Sequence, residues 1–190
     1  MAETSAPGSR YAIDARGSRL TVRAYAGGML SAIGHDPVIG ARDIQGDVQF
    51  DPQSPDTSAA RLRVVARSLS VQNDASDKDR REMERTMNEE VLETAKHPEI
   101  SFETTRAEVE KVTDGRYRAS VEGRLSLHGV TRNHRLSGQL FVMGDTLRIQ
   151  GEAPLRQTDF GIKLVSVAGG TLKIKDDVTL AFDLLARKAP

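Results

Sequence analysis

The stretch YRASVEGRLSLHGVTRNHRLSG, residues 117–138, decides how this chain folds. From Tyr117 to Leu127 the odd positions are apolar or glycine and the even positions polar. His128–Arg132 interrupts the beat, which resumes at His134, Leu136 and Gly138 with the apolar side on even numbers. A period of two marks a strand with one buried face. In an antiparallel pair, facing positions keep a constant sum; an odd sum puts odd residues of one strand and even residues of the other on the same face. One hairpin therefore explains both halves and the change of parity. The reading sets Leu125 opposite Leu136, Val121 opposite Leu140 and Gly123 opposite Gly138. Facing glycines leave a gap in the apolar face or mark a sharp bend in the sheet.

The same beat recurs outward from the hairpin. It appears at Tyr11 and Ile13, at Leu20, Val22 and Ala24, and at Ile44, Gly46, Val48 and Phe50 before Pro52. It returns at Ala60, Leu62, Val64 and Ala66, at Ile100 and Phe102, and at Leu147, Ile149, Gly151 and Ala153. Leu172 and Ile174, then Val178, Leu180, Phe182 and Leu184, close the series. Roughly eight or nine sequential strands joined by short turns predict a closed barrel or a two-sheet sandwich. A barrel of about eight strands has room for one small ligand.

One segment breaks the pattern. In NDASDKDRREMERTMNEEVLETAKHP, Met83, Met87 and Val91 recur every four residues, a narrow helical stripe among charges. Ser76 with Asp79 offers a capping box, and Pro98 ends the segment. The spacing predicts an α-helix over about residues 77–95, lying on a surface or across the end of a barrel. The stripe either docks the helix or, methionine being adaptable, forms a lid of Met83, Met87 and Val91.

Composition bounds the rest. A length of 190 residues suits one domain, expected over 10–187 after a disordered tail at 1–9. Basic and acidic residues balance at 27 each, with no dense basic run, so nucleic acid is not an expected partner. No apolar run approaches a membrane span, so stable membrane insertion is not expected. MAETSAPGSR lacks the basic and apolar regions of a signal peptide, so the expectation is cytoplasmic as written, or periplasmic if a leader has been removed. Cysteine and tryptophan are absent and aromatics make up 4%, leaving a core of small aliphatic side chains or a barrel with space inside.

GDVQFDP (46–52), VLETAKHPEISF (91–102), YRASVEGRLSLHGVTRNHRL (117–136) and DFGI (159–162) occur in this order. Together they resemble the YceI-like family, over about Tyr11 to Ala186. The resemblance implies an all-β, lipocalin-like antiparallel barrel with one inserted α-helix. It also implies a long isoprenoid-type lipid, such as a polyisoprenoid or isoprenoid quinone, held in an internal tunnel for storage, transport or stress protection. On that reading the tunnel is lined by Val48, Phe50, Leu62, Val64, Ile100, Phe102, Tyr117, Val121, Leu125, Leu136, Leu140, Ile149, Phe160, Phe182 and Leu184. No cofactor is implied. The oligomeric state is left open, a homodimer being one option. Two rivals stand beside this reading. One is a filled barrel serving as an interaction or structural module; the other is an enzyme acting on an apolar substrate.

Polar candidates for chemistry are sparse, and the chain is read as a non-enzyme. His35-Asp36, near Ser31, carries no triad geometry; the plainer readings are a turn in which Asp36 accepts backbone amides, or a polar group at a tunnel mouth. Asp159-Phe160-Gly161 has no accompanying phosphate loop, and Phe160 is expected to be buried. Of His35, His97, His128 and His134, none stands in an H-x-H or H-x-x-x-H pair. His134 falls on the apolar face and His128 on the polar face or the turn. The histidines are therefore not expected to converge, and no metal site is expected.

Overall fold

The computed structural model describes residues 8–27, 36–167 and 172–190. Within them the chain forms β1 (Ser9–Ile13), β2 (Arg19–Arg23), β3 (Ala26–Gly27), β4 (Val38–Ala41), β5 (Ile44–Phe50), β6 (Ala59–Val65) and β7 (Leu69–Val71). Helix α1 (Asp77–Thr86) follows, continued by one π turn (Met87–Val91). Then come β8 (Glu99–Thr113), β9 (Arg116–Leu127), β10 (Val130–Met143), β11 (Thr146–Arg156), β12 (Ser166–Val167), β13 (Leu172–Ile174) and β14 (Asp177–Lys188). Ser9, assigned to the tail from sequence, already pairs with Phe50.

The hairpin is present, but its register is not the expected one. Leu125 faces Arg132, Leu136 faces Val121, and Gly123 faces His134, a displacement of four residues. The turn is only His128-Gly129, with φ of 53° and 74°. Two central residues with positive φ give the tight turn whose twist matches a right-twisted strand pair. Arg132 sits inside β10 opposite an apolar residue and donates from Nε to the Asp159 carbonyl. Its polarity disguised a strand position as loop. The parity argument survives, because the true pairing also joins odd to even. Gly138 does face a glycine, Gly151, in the neighbouring β10–β11 hairpin.

The sheet runs β1-β5-β6-β8-β9-β10-β11-β14, and β14 pairs back onto β1. These eight strands close an antiparallel barrel. Short breaks split β1 from β2, β4 from β5 and β6 from β7; β1, β5 and β6 stay in the barrel, while β2, β4 and β7 pair outside it. The result is the extension β14-β2-β4-β7. β7 would end there as an open edge, which exposes unpaired backbone groups. Helix α1 covers it with side chains. Glu84 Oε1 accepts from Val71 N (3.0 Å), and Arg80 Nη1 donates to Val71 O (2.9 Å). Ser76 caps the helix by accepting from Asp79 N. The α-helix stops at Thr86, short of the expected 95, because Leu92 N bonds to Met87 O one residue further back than α-helical spacing.

Two apolar clusters occupy opposite ends of the barrel. At the β8–β9 turn end, Tyr11, Val48, Phe50, Tyr117, Leu140 and Leu147 are buried together. At the β9–β10 turn end, Phe102, Leu125, Phe160 and Ile162 form the second, with Val91 and Leu92 packed against it. Val121 touches both.

Candidate ligand cavity

Between the two clusters the barrel is not filled. A cavity of about 160 Å³ remains. Twelve of the fifteen sequence-predicted residues lie on its wall: Val48, Leu62, Val64, Ile100, Phe102, Val121, Leu125, Leu136, Leu140, Ile149, Phe182 and Leu184. Phe50, Tyr117 and Phe160 do not. Phe50 and Tyr117 meet edge to face, centroids 5.0 Å apart, and plug one end. Phe160, on the 3-10 turn Gln157–Phe160, is 2% exposed and plugs the other. Aromatic side chains thus pack at both ends of the barrel, with the cavity between them. Leu20, Val109, Ala119 and Leu180 also line it. Ala119 continues the odd-numbered inward series of β9, which the sequence displays, whereas Val109 lies beyond the β8 bulge between Thr104 and Arg106, out of step with Ile100 and Phe102.

The glycine gaps are partly occupied. A Cβ at Gly123 would lie 2.4 Å from Phe102 Cζ, and one at Gly151 would lie 2.5 Å from Phe182 Cζ. Both rings thus rest in niches of the wall, which draws them back from the centre of the chamber. Beside Gly123 the β8 strand carries a bulge between Thr104 and Arg106, the local bend that the glycine marks.

The chamber wall is almost wholly apolar, with one notable polar atom. His134 Nε2 is buried and has no hydrogen-bond partner among the described residues. Burial holds its pKa below the ordinary histidine value and favours the neutral ring. Asp36 accepts from Ala26 N (2.9 Å), the backbone-binding role read for it. His35 and Ser31 lie outside the described residues. The stripe residues Met83, Met87 and Val91 are each half-buried.

The histidine expectation needs correcting. His97 and His128 come together, ring centroids 4.7 Å apart, with the Glu93 carboxylate beside them. Local turns place them. Glu93 O accepts from both Lys96 N and His97 N, which folds His97 back beside Glu93. Buried Thr94 bonds Asn88, pinning that turn to the start of the π turn. Gly129 has no side chain, and the His97 ring lies where one would be. His128 Nδ1 bonds the Phe160 carbonyl (3.1 Å) and Nε2 approaches Glu93 Oε2 (3.2 Å). Lys96 first, and then His128, hold the Glu93 carboxyl below its ordinary pKa. The sequence reading sought paired histidines; the signal it passed over was Glu93-x-x-x-His97.

Similarity to known proteins agrees with this geometry. A family model for the YceI-like domain matches residues 11–186. A UPF0312 protein of Pseudomonas aeruginosa is 30% identical over 128 residues, 64% of this chain, which spans 61% of that relative's length. A UPF0312 protein of Pseudomonas savastanoi pv. phaseolicola is 26% identical over 94% of this chain and 87% of its own. Among solved structures, BcnA of Burkholderia cenocepacia superposes with a TM-score of 0.69 at 15% identity, covering 91% of this chain and 98% of that one. A domain of Saccharophagus degradans described as polyisoprenoid-binding gives 0.67 at 15% identity, over 94% and 98%. At such identity these structures speak for the fold, and the family match covers nearly the whole barrel. The chain belongs to the YceI-like family.

Proposed function

We propose that this protein binds a long apolar lipid of isoprenoid type inside the barrel, for storage, transport or protection, and that it is not an enzyme. The observation that carries the reading is the unfilled chamber with an almost wholly apolar wall. Ordinary cores close-pack, so retained space in a barrel argues for an occupant. The structural relative described as polyisoprenoid-binding supports an isoprenoid. Each buried methylene contributes about 0.8 kcal/mol, so a prenyl chain needs no charged anchor. A dry cavity of about 150 Å³ holds a benzene-sized guest. The chamber at 160 Å³ is comparable, so a long chain must also move side chains, Phe102 and Phe182 or a plug, to extend. His134 Nε2 would then face an oxygen on a ligand such as a quinone.

An enzyme would need polar groups converging in the chamber, and His134 has no such partner among the described residues. Native mass spectrometry of the purified protein, followed by lipid extraction, tests the proposal. A co-purifying long-chain lipid at one per barrel is expected. Protein that carries none, and takes up none when isoprenoid lipids are offered in detergent, would refute it.

A further inference from the structure

The cluster of Glu93, His97 and His128 lies outside the chamber and has no part in the lipid reading. Each residue offers a donor atom, and all these atoms lie within 4.8 Å of one another. The Phe160 carbonyl can only accept, so His128 Nδ1 carries the proton and donates to it. In the neutral ring, Nε2 then presents a lone pair to Glu93 Oε2 at 3.2 Å. Two lone pairs facing each other repel unless a cation, proton or metal, stands between them. A carbonyl that fixes the far nitrogen is also the usual outer partner of a metal-bound histidine. His97 supplies a second imidazole beside the first, and neither of its nitrogens is hydrogen-bonded among the described residues. Glu93 and His128 are the only non-glycine residues with positive φ among the described residues, at 45° and 53°. The positive φ of His128 belongs to the tight β9–β10 turn, and that of Glu93 to the turn that folds His97 back beside it.

We propose that Glu93, His97 and His128 bind a divalent first-row metal of the zinc class. Two imidazoles and one carboxylate, with a fourth position open, is an established zinc donor set, and imidazole favours Zn²⁺ over Mg²⁺ or Ca²⁺. Metal–donor bonds of about 2.0–2.2 Å place neighbouring tetrahedral donors roughly 3.3–3.5 Å apart. The Glu93–His128 pair is close to this already, and His97 needs a shift of about one ångström or slightly more. Lys96 pairs with the other Glu93 oxygen, Oε1, and competes for the carboxylate. The bound ion would tie the segment after α1 to the β9–β10 turn and, through Phe160, to the plug over the chamber.

Untagged protein, stripped with a chelator, is titrated with Zn²⁺ against a chromophoric competitor. Co²⁺ serves as a spectroscopic probe. One equivalent of Zn²⁺ is expected, unaffected by excess Mg²⁺, and Co²⁺ should show the intense visible bands of four-coordination. His97→Gln and Glu93→Gln should each weaken Zn²⁺ by on the order of tenfold or more. Lys96→Ala, which frees Glu93, should bind at least as tightly as wild type. Wild type taking up no stoichiometric Zn²⁺ at micromolar concentration, or both glutamine variants binding unchanged, would overturn the proposal. Should a variant fail to fold, histidine side-chain NMR of the wild type decides. Zn²⁺ shifts at His97 and His128 support the site, and shifts confined to His35 and His134 refute it.

Discussion

The Phe102 ring occupies the niche that Gly123 leaves in the neighbouring strand: a Cβ at position 123 would lie 2.4 Å from Phe102 Cζ and 2.6 Å from Glu103 O. Gly123→Ala should therefore drive the ring into the chamber and strain β8. The expected cost is about 1–3 kcal/mol, typical of overpacking, with reduced lipid uptake. At about 2–4 °C per kcal/mol for a chain of this size, the melting shift is readily measured. Phe102→Leu should relieve part of the strain, so the two substitutions should be non-additive in a double-mutant cycle. Additive melting shifts would contradict the contact.

Helix α1 is held to the edge strand β7 through the backbone of Val71, a residue 1% exposed. Glu84→Ala leaves the Val71 N–H without its acceptor. A loss of about 1–3 kcal/mol is expected for a hydrogen bond to a charged group, together with faster amide exchange at Val71. Unchanged exchange at Val71 would show that the helix does not protect that edge.

His134 gives the barrel an acid sensitivity of defined sign. Burial lowers its folded pKa below the ordinary value. The unfolded chain takes up this proton near pH 6.5, whereas the folded protein does so only at lower pH. Between those values the unfolded state binds more protons, so stability is lost as pH falls, and above the upper value His134 makes no contribution to the slope. The melting temperature of wild type relative to His134→Leu should fall as pH drops from about 8 to about 5. A difference independent of pH would contradict the buried, neutral ring.

The hairpin, the barrel and most of its inward face were legible because a period of two is a local signal. The register was not, because His128-Gly129 makes the tight turn without the usual Asn-Gly or Asp-Gly, and because Arg132, paired with Leu125 but exposed, bonds the Asp159 carbonyl and breaks the apolar series. Alternation also cannot show where a strand changes neighbours, as it does between β1 and β2. Phe50 and Tyr117 point inward as their parity requires and Phe160 is buried from a 3-10 turn, yet all three fill the ends instead of lining the chamber. Depth along the barrel depends on the closure of eight strands, which no single segment encodes. His97 and His128 meet across 31 positions of chain, brought together by a turn that folds back onto Glu93.

Val121 lies on the chamber wall between the two clusters, and its replacement by tryptophan tests the central claim most directly. Delipidated wild type and Val121→Trp are each titrated with a long-chain isoprenoid and melted in parallel. If the chamber is the binding site, the indole fills space that is already present. Wild type should bind one chain per barrel and the variant none, with closely similar melting temperatures. A solid barrel would instead be overpacked, at about 1–3 kcal/mol. A sharply lowered melting temperature in Val121→Trp, with no lipid bound by wild type, would contradict the account.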